Sequence, residues 1–140
     1  MIPTKALITT AVVAAAIGAA LVLERPAHAP GEVRAEQLLV ADLAGEPDKE
    51  VNIQVYTFPP GASVPWHIHP DAHEFDYQLE GALTLQKEGE GADLIKRGEA
   101  VYLAPNVVHR GLNVSRTQAA KILVVRVKPK DRPLTIEVQP

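Results

Sequence analysis

After its first thirty residues the chain reads as all-β, on three observations. Apolar and polar residues alternate over short runs, glycine and proline clusters separate those runs, and no stretch after residue 45 keeps a helical period. Together they predict a single barrel or sandwich of short strands. At 140 residues the chain has room for one such domain, so two are excluded.

Met1 to Leu23 is the exception to the β pattern. Lys5 is followed by ALITTAVVAAAIGAALVL, Ala6 to Leu23, eighteen residues without a charge that would reach about 27 Å as a helix. This predicts an amino-terminal hydrophobic helix serving as signal peptide or transmembrane anchor. Ala27-His28-Ala29 has the small-x-small form of a cleavage site, although Pro30 would follow the cut. The charge bias around the segment leaves its amino end in the cytoplasm and the domain outside, hence an exported, periplasmic or otherwise extracytoplasmic protein, membrane-attached if uncleaved. Residues 24–32 form a proline-rich linker, with His28 solvated in it, and residues 33–140 form the folded domain.

Within the domain, Gln37 to Leu43 is a first short strand, followed by a turn at Gly45-Glu46-Pro47-Asp48. Val51, Ile53 and Val55 alternate with Asn52, Gln54 and Tyr56 in a second strand that Pro59-Pro60-Gly61 closes. Ala82 to Gln86 and Asp93 to Lys96 pair as a hairpin across a glycine loop, and Val101 to Leu103 is short. Ala119 to Val127, AAKILVVRV, is the most continuously apolar strand and belongs in the wall of the fold. Leu134 to Val138 is an edge strand that folds back or pairs with another subunit. There is no internal repeat.

Composition removes several functions. The net charge of −3 and the lack of a basic run with interleaved aromatics argue against a nucleic-acid partner. The chain has no cysteine, so thiol catalysis, thiolate ligation and disulfides are absent. Any metal must take nitrogen and oxygen donors, which suits one divalent iron, manganese, nickel, copper or zinc ion without choosing among them.

Chemistry concentrates in GASVPWHIHPDAHEFDYQLEG, Gly61 to Gly81. His67 and His69 are two residues apart, so on a strand both imidazoles leave one face, with Cα atoms about 6.6 Å apart. A Pro-Asp turn follows, and Glu74 opens a strand that can return a carboxylate to the same point. His109 adds a fourth donor from a distant strand. An isolated His-x-His pair is more often ordinary surface polarity than a metal site.

The strand from Glu74 to Glu80 supports two arrangements, because a shift of one residue exchanges its faces. In one, Phe75, Tyr77 and Leu79 enter the core and His73, on their side, takes the metal in place of Glu74. In the other, Glu74 turns inward with Asp76 and Gln78, leaving the three apolar side chains to cover another sheet or a second subunit. Asp76 is then a candidate catalytic base or a group that orients a histidine. Tyr56, Phe58, Trp66 and Tyr102 are aromatic candidates for the pocket mouth, with core packing as the plainer role.

The order Gly61, five residues, His67-x-His69, four residues, Glu74, six residues, Gly81 resembles the first cupin motif at every fixed position. Gly98 to Asn113, with His109 between them, resembles the second, although Pro105 sits one place late and Val107 replaces a glycine, so the turn before His109 differs in shape. The resemblance spans Val33 to Val127 and implies a jelly-roll cupin β-barrel. It also implies metal ligation by His67, His69, Glu74 and His109, and permits a homodimer. The function it implies is a metal-dependent, dioxygenase-like oxidoreductase acting on a small oxygenated molecule. A metal-containing domain that binds or senses a small molecule without turnover is the alternative.

Overall fold

The computed structural model describes residues 31–140; the expected amino-terminal helix and most of the linker lie outside them. Among the described residues there is no α-helix, and none is long and apolar enough to cross a membrane. The strands are β1 (Arg34–Leu43), β2 (Glu46–Phe58), β3 (His67–Ile68), β4 (His73–Glu80), β5 (Ala82–Lys87), β6 (Gly91–Lys96), β7 (Ala100–Leu103), β8 (His109–Leu112), β9 (Ala120–Pro129) and β10 (Ile136–Glu137). They form two five-stranded antiparallel sheets, ordered β1-β2-β9-β4-β7 and β10-β3-β8-β5-β6. The architecture is jelly-roll-like, but the two sheets do not close into a continuous barrel.

One boundary differs from the sequence expectation, and one open alternative is decided. The turn between β1 and β2 contains only Ala44 and Gly45, and Glu46 already pairs with Leu43, because Gly45 takes φ 85° and reverses the chain in two residues. The carboxy-terminal strand folds back on its own chain, pairing Ile136 with Ile68 and Glu137 with His67.

β9 explains how the core and the site share one interior. Its inward residues are Ala120, Ile122, Val124, Arg126 and Lys128, all buried. The first three pack with Phe58 and Leu83 into an apolar cluster, where each large side chain contributes about 1.5–3 kcal/mol by leaving water. The last two carry charge into the same interior. Leu85, Ile95 and Leu103 form a second apolar cluster.

On β2 and β4 the simple rule of apolar residues inward is reversed. Asn52 and Gln54 face in, as do Glu74, Asp76 and Gln78, with Gln78 fully buried. Phe75 and Tyr77 lie outward, 48% and 44% exposed. At the end of β4, Gly81 has φ 66°, and a Cβ there would lie 2.7 Å from the Ala119 carbonyl oxygen. Only glycine fits this corner without displacing backbone.

Candidate metal centre

β3 and β8 meet at one register pair, His67 opposite His109. His69 follows β3 directly. One donor atom from each of these three histidines lies within 4.8 Å of the other two, and His69 and His109 are buried. Two loop residues fix the approach: Asp71 and Asn106 both adopt positive φ, 55° and 64°, conformations that Asp and Asn tolerate. They clasp each other, the Asp71 amide donating to Asn106 Oδ1 and Asn106 Nδ2 donating to Asp71 Oδ1, each at 3.1 Å. The turn before His109 thus takes its left-handed residue at Asn106, beside the place where Val107 replaces the motif's glycine.

Each imidazole is oriented by a main-chain carbonyl. Nδ1 of His67 lies 2.7 Å from the Pro65 oxygen, Nδ1 of His69 lies 2.5 Å from the Leu134 oxygen, and Nδ1 of His109 lies 2.8 Å from the Val107 oxygen. A carbonyl only accepts, so all three Nδ1 atoms carry the hydrogen and donate it. In each neutral ring, Nε2 keeps its lone pair. Burial first, and then the neighbouring His109, lowers the His67 pKa from 6.5 to about 4, so this ring is neutral at pH 7.

Glu74 enters from the facing sheet, fully buried on the inner side of β4. Its Oε2 lies 2.9 Å from His69 Nε2, and its Oε1 lies 3.5 Å from His109 Nε2. The His69 Nε2 atom is close to Glu74 yet makes no hydrogen bond of acceptable geometry. With Nε2 unprotonated these would be two buried acceptors facing each other, a repulsion that either a proton or a metal ion between them relieves. The same constellation of imidazole nitrogens and a carboxylate suits a divalent metal, so the donor set fits one.

Arg126 holds the other side of Glu74. The two residues are register partners across β4 and β9, and Arg126 Nε donates to Glu74 Oε2 at 2.5 Å. Its Nη1 reaches Gln54 Oε1 at 2.9 Å and the Tyr56 hydroxyl at 3.4 Å, with the guanidinium over the Tyr56 ring. Burial opposes charge on Glu74, but hydrogen bonds from His109 and His69, which require a proton on Nε2, and the charge of Arg126 hold its carboxyl well below the usual range. Burial likewise opposes charge on Arg126, which Glu74 and Tyr56 more than offset.

Asp76 occupies the next inward position of β4. Burial, and then the charge of Glu74, raises its carboxyl well above the ordinary aspartate value. Its Oδ1 has no hydrogen-bond partner. His73, the alternative third donor, is exposed on the outer face, where its Nδ1 lies 2.7 Å from the Tyr102 hydroxyl. It takes no part in the cluster.

A cavity of about 190 Å³ opens beside the histidines, with Glu74, Asp76 and Arg126 in its wall. Tyr56 and Phe58 line it as well. Trp66 and Tyr102 do not: Trp66 stacks under the Arg110 guanidinium at 4.7 Å, and Tyr102 is 49% exposed on the outer sheet face. Both leave the pocket because their strand or loop position gives them the opposite facing.

Arg126 and the carboxy-terminal acceptor Leu134 did not emerge from sequence reasoning. Arg126 is, with Lys121, one of two charged interruptions of the apolar run Ala119 to Val127. Its parity with Ile122 and Val124 was the available signal. For Leu134 there was none, since its contribution is a main-chain oxygen brought sixty-five residues along the chain to His69.

A family model for the cupin domain matches residues 54–126, just over half of the chain. No curated protein sequence matches significantly. Among solved structures, the chain is similar to the DMSP lyase DddQ from Ruegeria pomeroyi, with 21% identity, TM-score 0.61, and 77% of this chain and 52% of that one covered. It is similar to the polyketide cyclase RemF from Streptomyces resistomycificus, with 24% identity, TM-score 0.62 and coverage of 79% and 74%. An oxalate oxidase solved in complex with the substrate analogue glycolate matches with 22% identity, TM-score 0.59 and coverage of 86% and 62%. The chain spans about half the length of the lyase, and likeness at these identities shows a shared fold.

Proposed function

The chain belongs to the cupin domain family, and from that premise we propose that it is a metal-dependent oxidoreductase of the dioxygenase type acting on a small oxygen-bearing molecule. One observation carries the reading. Three imidazoles, each tied through Nδ1 to a main-chain carbonyl, turn Nε2 lone pairs toward one another and toward a buried carboxylate. His67, His69 and His109 would hold the ion, with Glu74 as fourth donor through the carboxylate that Arg126 steadies. A bound redox-active ion would supply a site for dioxygen and polarise a substrate oxygen.

The chain's own residues do the rest. The carbonyl anchors keep the three rings from turning, so little reorganisation accompanies metal uptake. Asp76 lines the same cavity, one inward position along β4 from Glu74, and is the group placed to exchange a proton with a ligand there. The apolar wall excludes water around it. The hydrophobic segment before the domain supports an extracytoplasmic location, with the domain outside the membrane.

The test is metal content of the full chain, purified without chelator or nickel affinity, beside His67→Ala and His109→Ala. We expect about one equivalent in the wild type and more than about 100-fold weaker binding in each variant, beyond the range for residues that only orient ligands. Retained stoichiometric metal in either variant refutes the ligand assignment. Oxygen uptake with a panel of diols, dicarboxylates and phenols then tests turnover, and tight binding without uptake identifies a binding domain.

A further inference from the structure

The cavity beside the histidines has two unlike ends. Phe58, Leu83, Leu85, Ile122 and Val124 form a continuous apolar wall at one end. At the other stand the imidazoles with Glu74 and Glu137, and Asp76, paired across the strands with Val124, lies between the two. A space of about 190 Å³ is smaller than a drug-sized site, but an apolar cavity of about 150 Å³ already accepts benzene. One substituted ring fits.

Charge narrows the class further. Arg126 is the one Lys or Arg side chain in the cavity wall among the described residues. Its Nε is committed to Glu74 and its Nη1 to Gln54 and Tyr56. Only Nη2 is left to donate, so a dicarboxylate would face three carboxyl groups with no paired guanidinium edge, and a second carboxylate reaching past the histidines would lie against hydrocarbon, where an unpaired charge is very costly.

From these observations we infer that the site selects a neutral, single-ring phenol or catechol, its ring against Ile122 and Val124 and its hydroxyl toward His67, His69 and His109. The inference rests on the reading of those histidines as a metal centre. It goes beyond that reading in naming a substrate class and in rejecting small dicarboxylates.

The experiment measures binding of 4-fluorophenol by fluorine NMR to the full chain, with and without one equivalent of zinc, against succinate and glutarate as competitors. Zinc stoichiometry is determined separately, so failure of the metal reading shows there. We expect 4-fluorophenol to bind at least tenfold more tightly than either acid to the zinc-loaded protein, and to retain measurable binding without zinc. Val124→Phe, which fills the apolar end, should weaken it at least tenfold. Val125→Phe, the same change on the opposite face of β9, should leave it within twofold. Equal or tighter binding of succinate or glutarate overturns the inference, as does binding unaffected by Val124→Phe. Should Val124→Phe unfold, the methyl resonances of Leu83 and Leu85 in the wild type replace it: ligand-dependent shifts support the inference and unmoved methyls overturn it.

Discussion

On the sheet that contains β3 and β8, the imidazoles are held by main-chain carbonyls of Pro65, Val107 and Leu134, whereas on the facing sheet Glu74 is held by side chains. The two halves of the site should therefore fail differently. A carbonyl anchor survives substitution of its own residue, so the histidine half is disturbed by losing a ring or by moving a strand. The carboxylate half depends on Arg126, Gln54 and Tyr56 in sequence-encoded positions, and removing Arg126 leaves the buried charge of Glu74 without compensation.

The largest contrast comes from Arg126→Met in the metal-free protein. It strands Glu74, and denaturant unfolding should show a loss of about 3–5 kcal/mol, the cost typical of breaking a buried pair. Changing Glu74→Gln in that background should recover part of the loss, since the uncompensated charge goes with it. No recovery would mean that packing, not charge, holds this half together. On the histidine side, truncation before Leu134 removes the carbonyl acceptor of His69 and the β10 pairing to β3. Metal affinity, measured by chelator competition, should fall about 10–100-fold, the range for groups that orient a ligand.

A smaller effect separates the halves by pH. The folded state lowers the His67 pKa from 6.5 to about 4, so between these values the unfolded chain takes up a proton that the folded chain refuses. Its contribution makes the metal-free domain less stable as pH falls from 6.5 toward 4. Asp76, whose pKa is raised, contributes the opposite slope above 3.8, and Glu74, whose pKa is lowered, adds to the loss below 4.5. The difference in unfolding free energy between wild type and His67→Gln isolates the histidine: the variant should lose this part of the slope, and identical slopes would contradict it. The smallest effect belongs to His73→Gln, on the outer face with Tyr102. It should shift stability by less than about 0.5 kcal/mol and leave metal content unchanged, and loss of metal would reverse the reading of β4.

Much of this was legible in local patterns. The glycine spacing around His67, His69 and Glu74 gave both the family and the histidines that converge, because turns and strand parity are short-range properties. Pairing of the 82–86 and 93–96 segments followed from the glycine loop between them. The choice between Glu74 and His73 was not decided by alternation alone, which placed Phe75 and Tyr77 in a core they do not enter. Parity divides a strand into two faces but does not say which is inside.

The sequence by itself determined an all-β domain, nitrogen and oxygen donors for any metal, and the spacing that aims His67 and His69 from one strand. Tertiary structure alone decided that Glu74 faces them, that Arg126 steadies it, and that Leu134 fixes His69. Those contacts join residues fifty-two and sixty-five positions apart. The physical reason is that the facing of β4 is set by what the opposite sheet offers. A buried carboxylate gains a guanidinium and two imidazoles there, and no local pattern records a partner that distant.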